Sequence, residues 1–252
     1  MGHSPLDDLV SAVAGLEVVP LDGIADGQAR PDLNREGRTG VPEIVYASGK
    51  EFDQIQALAT TFVERAGRVI ISRIDEGNAQ RLVERFPAHQ IRHLPRARIL
   101  VIRRPDFELA VGGRAGIITA GTSDLPVATE AQVIAEEMGC AVTLVSDVGV
   151  AGLHRLFGPL RAMLEAGVDA IVVVAGMDGA LPSVVSGLVD VPVIGLPTST
   201  GYGVGGRGLA ALLSMLQTCA PGLTVVNVDN GVGAGVTAAL IANRVARARH
   251  QT

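Results

Sequence analysis

The chain contains no tryptophan, and all aromatics together make up only 3% of its 252 residues. A core of this size must then come from Val, Ile, Leu and Ala packed tightly around small residues rather than from large rings. Cysteine is almost missing: Cys140 and Cys219 are the only two, which excludes a disulfide framework and any cysteine-rich metal pattern. No run of Lys and Arg occurs and the net charge is −5, so nucleic acid is not an expected partner. No apolar stretch reaches the roughly 18 uninterrupted residues that a membrane-spanning helix needs. The best candidate, residues 167–175, is short and broken by Asp169. The opening residues MGHSPLDDL offer neither a cationic n-region nor an apolar h-region, so no secretory signal is expected. These absences predict a cytoplasmic protein with no membrane partner.

What is present divides into two textures. Up to about residue 110 the chain is polar and mixed, and it predicts a smaller N-terminal α+β domain. A loop over 22–43 crowds Asp32, Arg35, Arg38 and Glu43 around glycines. Strands are expected at 43–48, 68–73 and 96–104, and helices at 51–65 and 76–86, with residues 104–115 as a linker. Residues 111–252 form the second domain, where five short apolar runs (GIITAG, AVTLVS, DAIVVVAG, VPVIGLP and LTVVNVD) are bounded by turn residues. Helical stripes alternate with them. Ala131, Ile134, Ala135 and Met138 recur at i, i+3, i+4 and i+7, and so do Leu209, Leu212, Leu213 and Leu216. Strands alternating with helices predict an α/β, doubly wound parallel sheet covered on both faces, a three-layer αβα sandwich. Ligands in such sheets bind beyond the strand carboxyl ends.

The loops at those ends carry the candidate chemistry. AGTSDLPVATEA (120–131) puts Thr122, Ser123 and Asp124 at a helix entry, where backbone N–H groups favour a phosphate and Asp124 suits ribose hydroxyls; a plain helix N-cap is the alternative. SDVGVAGLHRL (146–156) places His154 after a strand end, as an acid or base near neutral pH or as a structural histidine. AGMDGALPSVVSG (175–187) holds Gly176 and Asp178 ahead of Pro182, which is poised to open a helix. In LPTSTGYGVGGRG (196–208), Ser199, Gly201, Tyr202 and Gly203 offer hydroxyl and glycine N–H groups to a phosphate. GYGVGG also fits the dinucleotide pattern G-x-G-x-x-G with Asp229 downstream, which supports a nicotinamide-dependent oxidoreductase or sensor. Against that, PTST separates the strand from the first glycine, and three strand–helix units precede it. Cys219, in QTCAPG, stands beside a Gly-rich loop as a candidate nucleophile, or simply closes a helix.

Taken in order, residues 116–245 resemble the class I phosphoribosylaminoimidazole carboxylases. AGTSDLPVATEA is similar to their G-S-x-S-D-x-x-x-M phosphate and ribose loop, and GLHRL to Ser-Ala-His-Arg-Thr-Pro, which sets His154 on the family's catalytic histidine. ALLSMLQ resembles S-L-L-S-I-V-Q, and NGVGAG resembles A-x-x-A-G-x-x-N-A, which includes Asn230. The chain departs from them at Gly179-Ala180-Leu181-Pro182, where they carry Ala-Ala-His-Leu-Pro, and at Gln217-Thr218-Cys219, where they carry Gln-Met-Pro. The chain also lacks the Ser-Ala that precedes their histidine, having Gly152-Leu153 there, and those enzymes lack the N-terminal half present here.

The whole chain resembles the LarB family, through R-x-G-x-P-E-I-V-Y-x-x-G-K (Arg38 to Lys50), GMDGALPSVVSGLV, PTSTGYGVGGRGLAALLSMLQTCA and VVNVDNGVGAG. That resemblance implies carboxylation of the pyridinium ring of nicotinate adenine dinucleotide with CO2 or bicarbonate. It also implies cleavage of the phosphoanhydride, giving pyridinium-3,5-biscarboxylate mononucleotide and AMP for a nickel-pincer cofactor. Cys219 then falls on the family's nucleophile, His154 or Asp178 handles the proton, and Arg38 and Lys50, with Arg35, are candidates for the adenylate half. Mg2+ is a candidate aid to phosphoanhydride cleavage, although no ligand cluster in the sequence marks a metal. The purine carboxylases imply a homo-oligomer, an octamer, with sites at subunit contacts. An aminoimidazole ribonucleotide carboxylase or mutase is the alternative enzyme.

Overall fold

A computed structural model describes residues 31–249 and 251. The opening MGHSPLDDL and the 22–30 part of the expected loop lie outside the described residues. The chain divides into two compact units. One runs to His93 and includes Leu100–Phe107; the other takes Leu94–Ile99 and everything from Glu108 onward.

In the first unit, β1 (Ile44–Tyr46), β2 (Arg68–Ser72), β3 (Gln90–Leu94) and β4 (Ile99–Arg103) form a sheet in the order β1-β2-β4-β3. β1 and β2 are parallel. Among the described residues three helices accompany them: α1 (Arg35–Thr39), α2 (Phe52–Ala66) and α3 (Glu76–Arg85). α2 buries Ile55, Leu58, Ala59, Phe62 and Val63, a helical stripe that packs with Val69, Ile71, Leu100 and Ile102 of the sheet. α3 begins at Asp75, whose carboxylate accepts from the Asn78 N–H at 2.9 Å, a side-chain N-cap.

Three details differ from the sequence reading. α1 interrupts the expected loop over 22–43. The expected strand at 96–104 starts only at Ile99, because Pro95 opens a 3-10 turn over Pro95–Ala97 and Arg98 has φ +54°. β3 was not foreseen, since QIRHL has no buried residue and so no apolar alternation.

The second unit is built on β5 (Arg114–Thr119), β6 (Ala141–Val145), β7 (Ala170–Ala175), β8 (Val193–Pro197) and β9 (Leu223–Val225). All four neighbouring pairs are parallel, in the order β6-β5-β7-β8-β9. Alternation along the strands sends successive side chains to opposite faces. Ile118, Ile171 and Val173 face one cluster with Leu156, Leu160, Leu181 and Met215, from α5 (His154–Glu165), α6 (Leu181–Ser186) and α7 (Leu209–Leu216). Ile117, Val172 and Val174 face another with Ala128, Ala131, Ala234 and Ala238, from α4 (Leu125–Glu137) and α8 (Gly231–Arg249). This is a three-layer α/β sandwich of the doubly wound kind. α4 and α8 approach so closely that a Cβ on Gly235 would collide with the Ala131 carbonyl oxygen.

The two apolar helical stripes behave differently. Ala131, Ile134, Ala135 and Met138 are all buried, as their spacing predicts. The leucine stripe of α7 is not the core face: Leu209, Leu213 and Leu216 are 52%, 55% and 63% exposed, while Ala211 and Met215 point inward. The helix turns its small face inward, where the Ala211 backbone comes so close that a Cβ on Gly179 would collide with it.

Candidate active site

The strand order reverses between β5 and β7, because the chain leaves β5 for β6 on one side and returns for β7 on the other. An open cleft of ≈ 260 Å3 lies beyond the carboxyl ends at that switch point. Four loops line it. After β5 come Gly121, Ser123 and Asp124; after β6, Gly149 and Arg155; after β7, Gly176, Met177, Asp178 and Ala180; after β8, Thr200.

Asp124 ties two of these loops together. It is only 3% exposed. Its Oδ1 accepts from the Thr198 hydroxyl at 2.6 Å, and its Oδ2 accepts from the Gly121 N–H at 3.0 Å. The carboxylate therefore spans from the first loop to the end of β8 and makes no side-chain cap bond to α4, whose N-cap position it occupies. Asp178, by contrast, is exposed in the cleft, and its Oδ1 accepts from the Ala180 N–H at 3.4 Å. Among the described residues, Arg155 is the one cation lining the cleft. Its guanidinium donates to Asp147 Oδ2 at 2.7 Å, and Asp147 itself has φ +62°. Arg155 was not singled out from the sequence, although the His-Arg pair in GLHRL carried the signal.

Of the residues singled out from the sequence, the cleft brings together Ser123, Asp124, Gly176 and Asp178. Thr122 is exposed beside them without lining it, and His154 is exposed as the first residue of α5, outside the lining. Ser199 is engaged by the fold: its N–H donates to Asp229 Oδ1 at 2.8 Å. Asn230 accepts from the Gly233 N–H at 2.8 Å, capping the first turn of α8. Gly201, Tyr202 and Gly203 form an exposed loop above Thr200. The helix after that loop opens only at Leu209, following Gly208 at φ +80°, so Gly206 stands outside the helix instead of opening it as in a dinucleotide turn.

Arg38 and Lys50 belong to the first unit. Arg38 donates twice to Asp32, at 2.6 and 3.3 Å, and Arg35 pairs with Glu43 at 2.8 Å. The hydrogen bond from Arg38 holds the Asp32 carboxyl below its usual range, and the same bond raises Arg38.

Cys219 is exposed and does not line the cleft. It lies in the turn between the end of α7 and the start of β9. Ser186, at the end of α6 and ahead of β8, donates to the Pro221 carbonyl at 2.9 Å, and β8 begins at Val193 opposite Leu223. These are strand entries, so the thiol sits at the amino-terminal edge of the sheet. A strand the length of β7 separates that edge from the cleft, about 20 Å at ~3.3 Å per residue. Cys140 is buried against Asn243, with burial pushing its thiol up to about 11. Among the described residues no group of three or more His, Cys, Asp or Glu side chains could hold a metal ion, and no helix is long and apolar enough to cross a membrane.

Comparison with known proteins places this geometry. Residues 25–104 match the LarB/PurE-like N-terminal domain, and residues 114–252 match the AIR carboxylase domain. The chain belongs to the LarB family. An uncharacterized protein of Methanocaldococcus jannaschii is 46% identical over 84% of this chain and 82% of its own length. The N5-carboxyaminoimidazole ribonucleotide mutase of Thermotoga maritima is 35% identical over 51% of this chain and 74% of its own length. The phosphoribosylaminoimidazole carboxylase of Saccharomyces cerevisiae is 29% identical over 59% of this chain and 25% of its own length. As a LarB-family member with an AIR carboxylase domain, the chain is an enzyme of carboxylase type.

Proposed function

We propose that this LarB-family enzyme carboxylates the pyridinium ring of nicotinate adenine dinucleotide and hydrolyses its phosphoanhydride. The products are pyridinium-3,5-biscarboxylate mononucleotide and AMP, the first step toward a nickel-pincer cofactor in the cytoplasm. One observation carries the reading. Where a purine carboxylase presents the histidine of Ala-Ala-His-Leu-Pro, this cleft is lined by the methyl group of Ala180, and the chain instead offers an exposed thiol at Cys219. The imidazole is lost and a nucleophile is gained, which suits a substrate that must be activated before it can attack CO2.

The chemistry follows from the ring. A pyridinium carbon is electron-poor and does not attack CO2. Addition of the Cys219 thiolate to the neighbouring ring carbon breaks the aromaticity and leaves an enamine whose free carbon is nucleophilic. That carbon bonds to CO2, a base takes the ring proton, and the carbon–sulfur bond breaks to restore the pyridinium and the thiolate. Asp178 is the base, since of Asp178 and His154 only Asp178 lines the cleft. Arg155, with Ser123 and the loop N–H groups, holds the phosphate.

One protomer keeps thiol and cleft at opposite edges of the sheet, so the reaction needs a homo-oligomer in which Cys219 of one copy enters the cleft of another. The exposed leucines of α7, which ends just ahead of Cys219, support that reading as an uncovered apolar face. The test supplies bicarbonate with either nicotinate adenine dinucleotide or aminoimidazole ribonucleotide and asks which gains a carboxyl group. Gain by the dinucleotide, with release of AMP, supports the proposal. Gain by the imidazole alone overturns it in favour of a purine-type carboxylase.

A further inference from the structure

The loop from Gly201 to Gly206 has no role in the scheme above, yet it rises directly from the rim of the cleft. Its foot is fixed there: the Met177 N–H, in the cleft wall, donates to the Thr200 carbonyl at 2.8 Å, and a Cβ on Gly201 would meet Met177 at van der Waals distance. The next residue is Tyr202, 83% exposed, and Val204 beyond it is fully exposed. Gly203 has φ +75°, and a Cβ there would meet open space among the described residues. The chain has two tyrosines and no tryptophan, and one of those two rings stands largely in solvent at the mouth of the cleft.

The size of the cleft gives that ring a use. At ≈ 260 Å3 it is smaller than the roughly 300–1,000 Å3 pockets that enclose drug-sized ligands. A dinucleotide exceeds it, so one nucleotide occupies the cleft and the other extends over the rim. We infer that Tyr202 is the stacking platform for the outlying half of the substrate, its ring lying against a purine base. This rests on the dinucleotide reading above and adds to it the subsite for the leaving nucleotide. Stacking suits this position because any base offers a π face, and the phosphate contacts within the cleft leave the outer ring otherwise unheld.

The test uses the full-length enzyme. In a Tyr46→Phe background Tyr202 is the sole tyrosine, so tyrosine emission reports it alone. Titration with nicotinate adenine dinucleotide is expected to quench that emission, and nicotinate mononucleotide, which has no purine, is expected to leave it unchanged. In parallel, Tyr202→Ala raises KM for the dinucleotide about 5- to 150-fold, the range for removal of one base–aromatic stack. It leaves kcat near that of the parent, and Tyr202→Phe restores KM. Equal KM in Tyr202→Ala, or equal quenching by both ligands, overturns the assignment while the parent still turns over. So does dissociation of the Tyr202→Ala assembly on sizing, which would make the ring a subunit contact. A parent that neither binds nor converts the dinucleotide overturns this inference together with the reading it rests on.

Discussion

Replacing Asp124 separates its two possible duties, gripping a ribose and holding the cleft together. Its carboxylate accepts a 2.6 Å bond from Thr198 and a 3.0 Å bond from the Gly121 N–H, and it is almost wholly buried. Hydrogen bonds to a charged group contribute about 1.5–3 kcal/mol each, and a buried donor left alone costs a similar amount. Asp124→Ala removes both acceptors at once and is expected to destabilise the second unit by about 3–5 kcal/mol. With melting shifts of about 2–4 °C per kcal/mol for a unit of this size, Tm falls by roughly 6–20 °C. Asp124→Asn should behave differently. Its amide oxygen still accepts from Gly121, and the Thr198 hydroxyl can turn to accept from the amide NH2, so the cost stays below about 1.5 kcal/mol. Calorimetry of both variants checks the pair, and turnover should persist in Asp124→Asn. Equal losses of Tm in the two variants, or an Asp124→Ala Tm within about 2 °C of the parent, would refute the loop-tying role. A stable Asp124→Asn with a greatly raised KM would assign the carboxylate to the substrate instead.

Three more outcomes follow from the same geometry. Mixing inactive Cys219→Ala with inactive Arg155→Ala, then dissociating and reassembling them, should restore activity at about one-quarter of the sites, because random pairing joins an intact thiol to an intact cleft at that frequency; no recovery contradicts a thiol supplied across copies. Iodoacetamide at pH 8 should label the folded chain once, at the exposed Cys219, and spare Cys140, whose thiol is buried and pushed up to about 11; the position of the label is read by peptide mass. Asp75→Ala should cost about 1 kcal/mol by removing the cap of α3. The Asn78 N–H lowers the Asp75 carboxyl below its ordinary 3.8, so the cap contributes fully above that value and is lost as pH falls through the lower folded one; denaturation of parent and variant should converge in acid.

Much of the second unit is legible in the sequence for a simple reason. Ile117 and Ile118, then Val172 and Val173, are apolar in succession because both faces of a parallel strand are covered, and short runs of that kind bounded by glycines have few other solutions. The buried stripe of α4 reads equally well from its spacing. The stripe of α7 misleads because period alone says which residues share a face, not which face meets the sheet. Its inner side is set by the close approach of Gly179 to Ala211, a contact between residues distant in sequence.

The candidate site divides in the same way. Loops at strand ends are placed by topology, so Ser123, Asp124, Gly176 and Asp178 converge as their positions after β5 and β7 require. The partners of Asp124 and Ser199 depend on Thr198 and Asp229 folding back across neighbouring strands, which no local pattern announces. Cys219 shows the limit most clearly. The family resemblance proposes it as a nucleophile, but only the strand order reveals that it stands at the entry of β9, across the sheet from the cleft.

In the mechanism proposed above, a carbon–sulfur bond to Cys219 makes the pyridinium ring able to take up CO2. Mass spectrometry of the products from nicotinate adenine dinucleotide and 13C-bicarbonate tests it directly, with the parent and Cys219→Ala side by side. Labelled biscarboxylate mononucleotide with AMP is expected from the parent and no labelled product from the variant. Label incorporated equally by Cys219→Ala, or none by either protein, would contradict it.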